Sequence, residues 1–75
     1  MRIEYDPDAG MAYVYIADAI SRGGAVKTEA LILDCGLVNL DFDAECRLIG
    51  IECNAERLPP GVLPKPGEDG YLQEG

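Results

Sequence analysis

The chain has 75 residues, with 14 acidic side chains against 6 basic ones and no histidine, for a formal charge of −8 and a pI of about 4.1. A domain this small buries only about 60% of the surface its unfolded chain exposes, so a marginal core stabilised by oligomerisation or a staple is expected. Nearly half the residues are apolar, which excludes the disordered class, and the bases Arg2, Arg22, Lys27, Arg47, Arg57 and Lys65 are too scattered to neutralise phosphates, which argues against nucleic acid and anionic membranes.

Residues 2–5 alternate polar and apolar, residues 6–10 supply turn types with a proline after Asp6, and residues 11–16 are aromatic and β-branched. This predicts a β-hairpin whose second strand places Ala12, Val14 and Ile16 on one face and Tyr13 and Tyr15 on the other. A second face carrying two tyrosines calls for a cover from the tail or a partner. Residues 11–17 form the longest uncharged apolar stretch, too short to span a bilayer, and no basic segment of a secretory signal precedes them, so the cytoplasm is the expected location.

Gly23-Gly24 breaks the pattern. It lacks the later glycine and lysine of a phosphate cradle and reads as a turn, and no cofactor is expected. Residues 26–30 alternate again as a third strand, although Thr28 alternatively caps a short helix from Ala30 to Asp34 that stops at Gly36. The clearest element is a second hairpin: Val38, Leu40 and Phe42 alternate with Asn39, Asp41 and Asp43, the chain turns over residues 43–46, and Ile49, Ile51 and Cys53 return on one face. Asn54 is placed to cap one helical turn over residues 55–58, which Pro59-Pro60 ends. Four of the five prolines and four of the nine glycines lie in residues 59–75. That segment reads as a tail rather than a second domain; Val62, Leu63, Tyr71 and Leu72 would let it lie across its own domain or a neighbour, but a flexible tail is the favoured expectation. The fold class is therefore mainly β, bordering on α+β: an antiparallel meander of four to five strands over residues 1–58, one short C-terminal helix, and an extended tail.

Two blocks carry a resemblance. Met1-Arg2-Ile3-Glu4-Tyr5-Asp6-Pro7-Asp8-Ala9 followed by Tyr13-Val14-Tyr15-Ile16, and Val38-Asn39-Leu40-Asp41-Phe42-Asp43 followed by Arg47-Leu48-Ile49-Gly50-Ile51-Glu52, are similar to the M-K-I-x-Y-D-P-E opening and the D-x-D-x-x-G-R-[LI]-[VI]-G-I-E run of the bacterial domain-of-unknown-function 2283 family. The resemblance covers about residues 1–57 and implies a small β-rich, stand-alone bacterial protein, with no catalytic residues to carry over. One position departs: Cys46 stands where that run has glycine. In a type I turn closed by a bulge this position needs positive φ, which costs a side-chain-bearing residue about 1 kcal/mol.

The candidate sites are few. Asp41, Asp43, Glu45 and Glu52 have the carboxylate spacing of a calcium loop, but Cys46 replaces its glycine and the surrounding period-two pattern reads as a hairpin with solvent-facing acids. Glu4, Asp6 and Asp8 read as a solvated turn. Cys35, Cys46 and Cys53 are odd in number, form no C-x-x-C pair and, with no histidine, could complete a zinc set only with a carboxylate or across a subunit interface, so reduced thiols are expected. Cys35 and Cys53 beside apolar runs are expected to be buried and inert. Tyr13, Tyr15 and Tyr71 are the interface candidates, and a homodimer is the expected assembly. Two functions follow: a non-enzymatic acidic module that meets a basic protein, antitoxin-like in form, or a ligand-binding protein or enzyme with its site between subunits. The first is favoured because the usual catalytic groups are missing.

Overall fold

In the computed structural model, residues 1–16 and 24–72 are described. Five strands, β1 (Arg2–Asp6), β2 (Met11–Tyr15), β3 (Lys27–Leu33), β4 (Gly36–Phe42) and β5 (Leu48–Asn54), form one antiparallel sheet in the order β1-β2-β5-β4-β3. The mainly β class holds. An N-terminal hairpin and a three-stranded meander join where β2 pairs with β5, so β5 rather than the next strand in sequence lies beside β2. The join is dictated by side-chain size and polarity: Ala12 sits opposite Cys53 and Val14 opposite Ile51, extending one apolar face across both units.

The third strand is longer than its alternating stretch and takes in the whole of Leu31-Ile32-Leu33. The alternative helix capped by Thr28 does not form, because a two-residue tip at Asp34-Cys35 lets Leu33 pair with Gly36 and commits the segment to a hairpin. Cys35 at that tip is exposed, a correction to its expected burial. Cys53, in the centre of the sheet, is only 3% exposed. The helix after β5 is reduced to a 3₁₀ turn, Ala55–Arg57, and Asn54 makes no side-chain cap. Of the Gly23-Gly24 break, Gly23 lies outside the described residues.

Cross-strand partners share a face of a sheet. The register thus gathers Ile3, Tyr5, Ala12, Val14, Val38, Leu40, Phe42, Ile51 and Cys53 on one side, and Glu4, Tyr13, Tyr15, Thr28, Asn39, Asp41, Gly50 and Glu52 on the other. The buried apolar side chains among the described residues are small: Ala12, Val14, Cys53 and Ala55. A single layer has no second layer to close over its larger side chains.

The expected flexible tail is overturned through residue 72. A second 3₁₀ turn, Pro60–Val62, brings the chain back along β1. The Tyr5 amide donates to the Gly70 carbonyl (2.8 Å) and the Leu72 amide to the Tyr5 carbonyl (2.9 Å), a parallel bridge on the outer edge of β1. The rings of Tyr5 and Tyr71 meet edge to face, with centroids 5.7 Å apart. Gly70 is required for the approach, since a Cβ there would collide with the Ile3 carbonyl oxygen and its φ is +93°. The hydrogen bonds and ring contact offset the ordering entropy that proline-rich composition alone leaves unmatched.

Candidate functional site

The polar face of the sheet is a set of side chains that satisfy one another across strands. Alternation in β2 sends both Tyr13 and Tyr15 to this face, their rings 4.7 Å apart, and the Arg2 guanidinium lies 4.3 Å over the Tyr15 ring. The Tyr15 hydroxyl donates to Glu4 Oε1 at 2.5 Å, bridging β2 to β1. The Tyr13 hydroxyl donates to Asp41 Oδ2 at 2.5 Å, and the Thr28 hydroxyl donates to Asp41 Oδ1 at 2.6 Å. Asn39 Nδ2 donates to Glu52 Oε1 at 3.2 Å. Three carboxylates on three different strands are thus held in fixed orientations by neutral donors.

Tyr13 reaches Asp41 by crossing β5, and Gly50 makes that possible. The ring lies directly above Gly50, where any Cβ would run into the Tyr13 hydroxyl. Burial, reinforced by the bond to Asp41, pushes the Tyr13 phenol well above its ordinary value, and the bond to Glu4, reinforced by burial, raises that of Tyr15. Both hydroxyls are therefore proton donors at neutral pH, suited to holding carboxylates rather than removing protons from a substrate. Among the described residues the contacts of the two tyrosines come from the sheet itself, through these bonds and the Arg2 stack, and not from the tail, one of the two covers that the alternation calls for.

The acids with calcium-loop spacing do not converge. Asp41 serves Tyr13 and Thr28, and Glu52 serves Asn39. Asp43 organises the β4–β5 turn, where its Oδ1 accepts from the amides of Glu45 (3.0 Å) and Arg47 (2.9 Å) and its Oδ2 accepts from Arg47 Nε (2.8 Å). Glu45 lies 3.4 Å from the same guanidinium. The backbone bond from Arg47 foremost, with its guanidinium and the Glu45 amide, lowers the Asp43 carboxyl below the ordinary range. No group of three or more potential metal ligands occurs among the described residues. The thiols are separated too, with Cys35 and Cys46 at opposite ends of β4 and Cys53 in the core, where burial raises its pKa and suppresses thiolate.

At the other end of the sheet, Asp6 Oδ1 accepts from the amides of Asp8 and Ala9, so this acid serves the first turn. Beside it is a cleft of about 250 Å³ whose walls include Glu4, Asp6, Tyr13, Glu52 and Leu72, below the roughly 300 Å³ at which small-molecule sites begin. Tyr71 packs edge to face on Tyr5 of its own chain and is half-buried there. Sequence reasoning passed over Thr28 and Gly50 as parts of this face; a glycine inside a strand, two residues from an acid and opposite an aromatic strand, is the signal that marked the crossing.

The turn and both hairpins coincide with a known sequence pattern over residues 2–55, described as a protein of unknown function, DUF2283. The chain belongs to the DUF2283 family. No curated protein and no solved structure is significantly similar to it. The match to DUF2283 covers all five strands and the buried Ala55, and it ends before the tail that bridges β1. No helix among the described residues of this DUF2283 protein is long and apolar enough to cross a membrane.

Proposed function

We propose that this DUF2283 protein is a non-enzymatic interaction module whose acidic sheet face receives a basic protein. One observation carries the reading: Glu4, Asp41 and Glu52, on separate strands of one sheet face, are each oriented by a hydrogen-bond donor from a neighbouring strand. Fixed carboxylates lose little side-chain entropy on meeting a cation, and a chain charge of −8 speeds the encounter with a positive partner. Pairing with a small basic toxin, in the manner of an antitoxin, is one form such a partnership takes. A low-salt pull-down with the wild-type chain and with a Glu4→Gln/Asp41→Asn/Glu52→Gln variant tests it. A stoichiometric basic protein, bound by the wild type, released by raised salt and lost by the variant, is the expected result. Recovery of no such protein, or equal capture by the variant, refutes it.

A further inference from the structure

The two edges of the sheet are treated differently. The tail bridges the outer edge of β1, whereas β3 has no strand on its outer side among the described residues. Natural sheets blunt free edges with charge, proline or a cover, because an open row of amides and carbonyls templates further pairing. β3 has no such protection at its C-terminal half. All seven of its residues are exposed, with Ile32 at 87%, and Leu31 and Leu33 point to the face opposite Ile32. Because Leu33 and Gly36 flank a two-residue tip they form a hydrogen-bonded pair, so by alternation Thr28, Ala30 and Ile32 turn their amides and carbonyls outward.

We infer that β3 is a dimerisation edge, pairing antiparallel with β3 of a second copy about a two-fold axis near Leu31 to make a continuous ten-stranded sheet. The register follows from the side chains. A two-fold at Leu31 sets that residue against its own copy and Ala30 against Ile32 of the other chain, matching apolar with apolar. A two-fold at Glu29 would oppose like charges. The occupant is a second copy rather than a foreign strand on grounds of side-chain matching and charge. Within β3 the charges cancel, Lys27 and Glu29 forming an ion pair of 3.1 Å, so two β3 edges meet with no net charge of their own although each chain carries −8. Pairing β3 with β3 uses the free edge of both copies, so the assembly closes at two.

The inference goes beyond the proposed function, since it uses the outward backbone groups of β3 rather than the carboxylates of the face that Thr28 adjoins. Its test is mass in solution, by sedimentation equilibrium, for the wild type, Ala30→Pro and Ile32→Lys. Proline at position 30 removes an amide that the β3–β4 ladder does not use, and lysine replaces a side chain already in solvent, so both variants keep the monomer fold, checked by circular dichroism. The wild type is expected at twice 8.1 kDa, with the dissociation constant raised at least about thirtyfold in each variant, the loss of one hot-spot residue. A monomeric wild type, an open series of larger species, or a dimer that both variants leave intact would overturn it.

Discussion

Replacing Cys46 with glycine should stabilise the protein. The turn from β4 to β5 is closed by the Cys46 amide donating to the Asp43 carbonyl (3.0 Å) and the Asp43 amide donating to the Arg47 carbonyl (3.0 Å), and it holds Cys46 at φ +63°. That is the left-handed conformation expected of a type I turn followed by a bulge. For a residue with a Cβ it costs about 1–2 kcal/mol. Glycine relieves this cost but adds about 0.5–1 kcal/mol of unfolded-chain entropy. The balance is a gain of about 0.5–1 kcal/mol, which for a domain of this size raises Tm by about 2–8 °C. Cys46 is exposed, so no core packing is lost. Thermal unfolding at one fixed protein concentration, so that any association contributes equally, is the assay. Cys46→Ala keeps the strain while removing the thiol and should melt within about 2 °C of the wild type. An unchanged or lower Tm for Cys46→Gly, or an equal rise in both variants, would refute the backbone argument.

Three further outcomes follow from the same geometry. Gly50→Ala should cost about 1–3 kcal/mol by forcing the Tyr13 ring off β5, and the Gly50→Ala/Tyr13→Ala double variant should lose less than the sum of the single losses in denaturant titration. The phenols of Tyr13 and Tyr15 are raised above their ordinary value of 10 in the folded chain, so their contribution is full below that pH and is lost as pH climbs through the folded values; Tyr13→Phe should flatten the alkaline fall of Tm. Asp43 is lowered from 3.8, so its contribution is full above that pH and is lost as pH falls through the folded value; Asp43→Asn should reduce Tm at neutral pH and weaken its dependence on acid in the same scans.

The strands and turns were legible because their signals are local. Period-two alternation marked β1, β2, β4 and β5, Asp6-Pro7 marked the first turn, and Cys46 in place of glycine announced the positive φ that the β4–β5 turn adopts. β3 was half legible: its apolar end, Leu31-Ile32-Leu33, has no alternation to reveal a strand exposed on both faces. The candidate face was legible as residues but not as bonds. Tyr13 and Asp41 are 28 positions apart, and no local pattern says which acid a tyrosine will hold.

What the sequence alone determined is therefore whatever depends on a few neighbouring residues: the fold class, the hairpins, the acidic surface and membership in DUF2283. Tertiary structure decided the β2–β5 join, the crossing of Tyr13 over Gly50, the exposure of Cys35 and the bridging of the tail to β1. Each of these depends on the pairing of distant segments. Alternation says that a strand has an apolar face, but only the closing of that face against a particular partner selects the neighbour and register.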